Sequence, residues 1–111
     1  MKVFVLAGGE LNGKWICDVL AREWYQYNSA ISTKNPKEAD IIWLLAGWSW
    51  KKIPIDILKN KKVITTIHHI VEQKFDKEKQ KIFRKRDKIT DIYHVVCQKT
   101  ADFMTGKYIL I

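Results

Sequence analysis

The chain has 111 residues, a formal net charge of +8, 47% apolar residues and five tryptophans, which suits one folded domain and excludes a mainly disordered chain. No stretch approaches the roughly 20 apolar residues of a membrane span, and "MKVFVLAGGE" turns polar and glycine-rich too early for a signal peptide, so a cytoplasmic protein is expected. Cys17 and Cys97 stand far apart with no CxxC pairing, which reads as small buried residues in a reducing compartment rather than a disulfide framework.

The apolar run "KVFVLAG" (2 to 8) predicts a first strand that leads into the glycine loop "GGELNG". "KWICDVLAREWY" then predicts a helix with Ile16, Val19, Leu20 and Trp24 on one face and Asn12 as a candidate N-cap. "SAISTKNPKEA" reads as loop, with a short extended piece near Ile31. "DIIWLLAGW" (40 to 48) is continuously apolar, as a parallel strand covered on both faces would be, and Pro54 marks the start of a short helix. "KVITTIH" is the next strand and "DIYHVVCQ" (91 to 98) a fourth. "KTADFMTG" suggests a brief helix with Thr100 as cap and Gly106 as stop, and "KYILI" begins one more strand.

Strands alternating with helices predict an α/β fold, a Rossmann-like three-layer sandwich with a mostly parallel sheet. Ligands of such sheets gather outside the carboxyl ends of the strands. The segments just past those ends are "AGGELNG", "AGWSW", "HHI" and "CQKT", so the glycine loop, two tryptophans and His68 or His69 should share one edge. Because successive side chains of extended chain face opposite ways, only one histidine should reach the site, and His68 is the favoured one. Trp43 reads as core. Trp48 and Trp50 read either as an apolar platform for a ligand or as packing under the loop. His68, His69, His94 and Cys97 are metal-capable types, but adjacent histidines diverge and His94 and Cys97 should fall on opposite strand faces, so no metal site is expected. No GxSxG, HExxH or P-loop is present.

Charge is unevenly placed. Residues 51 to 88 hold thirteen Lys or Arg against five Asp or Glu, so the whole surplus of eight lies there. Within it, residues 74 to 88 predict a helix with Phe75, Ile82, Phe83 and Ile89 as a modest apolar face. Its basic residues, among them Lys77, Lys81, Arg84, Lys85, Arg86 and Lys88, form either a solvated face or a contact for an anionic membrane or other polyanion. Exposed aromatics are not interleaved with these basic residues, which argues against nucleic acid.

The order of "LAGGELNG", "VITTIHH", the basic helix and "DIYHVVCQKTADFM" resembles the N-terminal domain of a GT-B glycosyltransferase, nearest to glycosyltransferase family 4. The resemblance covers nearly the whole chain. It implies a single acceptor-side domain over residues 1 to 111, with the donor-binding domain absent or supplied by a partner chain, and therefore an enzyme half that is inactive alone. It implies no cofactor beyond a nucleotide sugar as donor substrate, and an acceptor that is a glycan or lipid-linked, met at the inner face of the membrane. His68 would then stand near the reacting sugar, with Gly8, Gly9, Gly13, His69, Trp48 and Trp50 around the substrate. The alternative is a non-catalytic Rossmann-like module that binds nucleic acid or phosphorylated ligands through its basic face.

Overall fold

A computed structural model describes residues 1–8, 15–46, 48–68 and 76–107, with side chains described as far as Asp102. Four parallel strands lie side by side in chain order: β1 (Val3–Leu6), β2 (Ile41–Leu44), β3 (Lys62–Ile67) and β4 (Ile92–Val95). Between and after them come α1 (Ile16–Tyr27), α2 (Ile55–Lys59), α3 (Lys77–Asp87) and α4 (Gln98–Lys107).

Period-two alternation gives each face of the sheet its own row of side chains. Phe4, Ile42 and Val63 align across one face, as do Leu6, Leu44, Thr65 and Tyr93. There Leu58 of α2 packs with Ile42, Leu44 and Val63, while Phe83 of α3 packs on Ile67 and Tyr93. The opposite face carries Val5, Trp43 and Ile64 in register, and Ala21 and Tyr25 of α1 pack there with Val5, Ala7 and Leu45. The result is a Rossmann-like arrangement of three layers.

The change of face between α1 and α2 has its cause in one extra bridge. Ser32 pairs in parallel with Val3, on the edge of β1 away from β2. The chain thus goes from β1 through α1 to Ser32 on one side, then through Pro36–Glu38 to β2 on the other. A chain that keeps its crossovers right-handed must change faces where it reverses direction, and here it reverses about β1. The extended piece expected near Ile31 is this bridge, reduced to a single residue.

A hydroxyl does the work of the missing strand. Tyr25 Oη accepts from Val5 N at 2.9 Å, and its proton is shared between Val5 O at 3.0 Å and Thr33 O at 3.2 Å. Thr33 N donates to Val3 O at 3.0 Å. The backbone edge of β1 is therefore satisfied by one residue of chain and one phenol.

The structure differs from the expected elements in several places. The strands expected over 40 to 48 and 91 to 98 shorten to Ile41–Leu44 and Ile92–Val95, because the chain turns at Leu45 toward the Ser49–Lys52 turn and at Val96 into α4. Of the helix face expected over Ile16, Val19, Leu20 and Trp24, Ile16 and Leu20 are exposed and Val19 and Trp24 are half-buried, while the residues α1 buries fully are Asp18, Ala21 and Tyr25. The Tyr25 hydroxyl sets that rotation. Neither cysteine is a fully buried residue, since Cys17 is half-buried and Cys97 lies exposed beyond β4. Helix α4 runs through Gly106 to Lys107, where a stop and then a strand were expected. Asn12, Phe75 and residues 108 to 111 lie outside the described residues.

Tyr25→Phe keeps the ring but leaves Val5 N–H buried without its acceptor, a loss of about 1–3 kcal/mol. Urea unfolding should show a lower midpoint with an unchanged slope; an unaltered midpoint would contradict this account of the β1 edge.

Candidate functional site

All four strands point their carboxyl ends to one edge, where the chain leaves at Ala7, Leu45, His68 and Val96. Helices α1, α3 and α4 begin from that edge, so their free N–H groups give it positive partial charge. Asp76 caps α3, its carboxylate accepting from Lys79 N at 3.0 Å.

His68 follows β3 directly and is half-buried. Its Nε2 lies 2.8 Å from Leu45 O and 3.4 Å from Cys17 Sγ. A carbonyl only accepts, so Nε2 carries the hydrogen and donates it to Leu45 O; in the neutral ring Nδ1 is then the acceptor. The Cys17 thiol is pushed up by burial and further by the neighbouring Asp18 charge. A protonated thiol facing an N–H is no activated nucleophile, so the Cys17–His68 contact fixes the imidazole at the edge without forming a catalytic pair.

A second polar chain crosses the α1 face of the sheet. Trp43 Nε1 donates to Thr66 Oγ1 at 2.8 Å, and Thr66 Oγ1 lies 3.1 Å from His94 Nδ1. The rings of Trp24, Trp43 and His94 meet edge to face, at 86° in each pair. Beside them a groove of about 350 Å³ runs between α1 and the β3–β4 half of the sheet, with His68 and Leu45 at its carboxyl end.

Trp48 and Lys52 close over the end of β1. Lys52 Nζ donates to Gly8 O and sits 5.4 Å above the Trp48 ring. A Cβ at position 8 would fall inside that ring, so this close approach requires glycine. Trp48 is 61% exposed, whereas Trp50 packs against the core around Leu44 and Leu58. The structure therefore places Trp48, Gly8 and His68 at the carboxyl edge but does not pair Trp48 with Trp50 as a platform. Gly9, Gly13 and His69 lie outside the described residues.

Lys77, Lys81, Arg84, Lys85 and Lys88 are exposed on α3. Arg86, expected among them, is not: it is 6% exposed, with its guanidinium 4.1 Å above the Phe83 ring, because its position on α3 faces the sheet. Among the described residues no group of three or more His, Cys, Asp or Glu side chains could hold a metal ion, and no helix is long and apolar enough to cross a membrane.

Reasoning from sequence missed the Cys17–His68 and Thr66–His94 contacts. Period two shows which face a residue occupies but not the register that brings strands together, and Cys17 reaches the edge only through the rotation of α1. No protein-family model, no curated protein and no solved structure matches the chain.

Cys97 precedes α4, and its sulfur lies 3.2 Å from the Thr100 hydroxyl. That bond, helped by backbone N–H groups of the first turn and by Lys99, holds the thiol below its ordinary value of 9.0. A lowered pKa means more thiolate at neutral pH, so iodoacetamide should modify Cys97 well before Cys17. Thr100→Val should move the pH profile of alkylation upward. Equal rates at the two cysteines, read by mass spectrometry, would refute this.

Proposed function

We propose that the chain is the acceptor-side domain of a glycosyltransferase of GT-B type, working with a donor-binding domain or partner chain to move a sugar from a nucleotide sugar to a glycan or lipid-linked acceptor. The observation that carries this reading is His68, held by Leu45 O at the carboxyl end of β3, the edge where sheets of this kind take their ligands. In the neutral tautomer Nδ1 can accept a hydrogen bond from an acceptor hydroxyl, and the imidazole can stabilise charge that develops as the bond forms. Gly8 and Trp48 stand at the same edge, where the exposed indole offers a further contact to a sugar. The cationic face of α3 suits an anionic surface such as a membrane leaflet.

Titration of the labelled chain with methyl glycosides and short oligosaccharides, followed by amide shifts, tests the acceptor site. Binding should perturb residues 45 to 48 and 68, and His68→Ala should weaken it about tenfold, the scale of one hydrogen bond. Shifts confined to α3, with single-stranded RNA binding in place of glycans, would instead favour the nucleic-acid module.

Vesicle co-sedimentation tests α3 separately. Each basic residue near an anionic bilayer contributes about 1 kcal/mol, so anionic vesicles should retain the protein at low salt and release it at high salt. Equal, negligible binding to neutral and anionic vesicles would remove the surface contact.

A further inference from the structure

We propose that the carboxyl rim of the sheet seats on an anionic lipid bilayer, with Trp15, Ile16 and Trp48 entering the headgroup layer and the lysines around them meeting its phosphates. The proposal rests on what the rim exposes and stands apart from the transferase reading, so failure of the glycan titration would leave it intact.

Register brings these side chains to one end of the molecule. Leu6, Leu44, Thr65 and Tyr93 share one level across the sheet, and β3 runs two residues past it to Ile67. Gly8 lies two residues past Leu6 and packs against the Trp48 ring, so Trp48 reaches the height at which β3 ends. Cys17 Sγ lies 3.4 Å from His68 Nε2, which sets the first turn of α1 beside the residue that follows β3. Trp15 and Ile16 therefore open α1 at that height, and they are 80% and 66% exposed. Two adjacent large apolar side chains in water, with an exposed indole at the same end, mark a surface for contact.

The charges between them select its chemistry. Lys51 and Lys52 follow Trp48, Lys77 opens α3, and Lys99 lies in the first turn of α4; all four are exposed. Lys52 Nζ stands 5.4 Å above the Trp48 ring. The exposed acids at these helix starts are Asp76, which caps α3, and Glu78, while Asp18 of α1 is buried. Among the described residues the rim is thus apolar at its points and net basic between them. Protein interfaces gather aromatic residues but are depleted of lysine, whereas the boundary of a bilayer takes both, indoles at its apolar margin and ammonium groups at its phosphates. Seated so, the domain turns His68 toward the membrane surface.

The test mixes the intact chain with vesicles of phosphatidylcholine, alone or with phosphatidylglycerol, some carrying brominated acyl chains, and follows tryptophan emission. Anionic vesicles should shift the emission to the blue, and bromine should quench it. Helix α3 carries no tryptophan, so attachment through α3 alone gives binding without either change. Trp15 is the N-cap of α1 and makes no side-chain capping bond, so serine in its place supports the helix at least as well. Trp15→Ser should weaken vesicle binding about tenfold, and Ile16→Ser by a similar factor, the scale of partly burying one apolar side chain. Arg84→Gln on α3 should leave the bromine quenching in place. No binding, binding without quenching, binding that ignores Trp15 and Ile16, or equal binding to neutral and anionic vesicles would overturn the proposal. So would a lipid-free dimer that Trp15→Ser dissociates, since the rim would then be a contact between copies of the chain.

Discussion

The Tyr25 hydroxyl on the open edge of β1 is the contact on which the rest of the arrangement depends. A parallel sheet cannot leave a buried strand edge unpaired, and here the neighbouring strand has shrunk to the Val3–Ser32 bridge. By serving both the N–H and the C=O of Val5, Tyr25 seals the edge and also fixes how α1 is rotated. That rotation buries Asp18 and Ala21, turns Ile16 and Leu20 outward, and brings Cys17 to His68. One phenol therefore links the edge of the sheet, the outer wall of the groove and the position of the imidazole. Burial raises the Tyr25 hydroxyl above its ordinary value of 10.0, and the hydrogen bond from the Val5 N–H lowers it by less.

Strand β3 supplies the second constraint through two threonines in an otherwise apolar run. Thr90 Oγ1 donates to Arg86 O at 2.8 Å, so the 2.8 Å contact between Thr65 and Thr90 has Thr65 as donor. This ties β3 to the end of α3 on one face. Thr66 does the same on the other, joining Trp43 of β2 to His94 of β4. Two residues with opposite orientations thus pin both layers. Valine at either place would keep the shape of the strand but leave polar partners unserved.

Much of the fold could be read from the sequence, and for physical reasons. The runs "KVFVL", "DIIWLL", "KVITTI" and "DIYHVV" are apolar because parallel strands are covered on both faces, so their existence and order were legible. The face buried by α1 was not, because hydropathy favours Ile16 and Leu20 while the hydroxyl of Tyr25 decides the rotation. Arg86 illustrates the same limit: a guanidinium in a basic run looks like surface, yet its stem packs and its head stacks on Phe83. For the site, His68 at the end of a strand was legible from its place after "VITTI". Its partners Leu45 and Cys17 were not, since they belong to other elements and only register and helix rotation bring them near.

The groove and the cationic helix look in opposite directions. Helix α3 packs on the sheet face that carries Ile67 and Tyr93, while the groove opens on the face of Trp43 and Thr66. With the sheet between them, a planar surface that meets α3 cannot also meet the groove. The exposed lysines of α3 and Arg84 therefore lie on the side of the sheet away from the groove. The carboxyl rim is a third surface, because the ends of the strands lie at neither face of the sheet but at its edge. The domain thus presents α3 on one face of the sheet, the groove on the other and His68 along the edge between them.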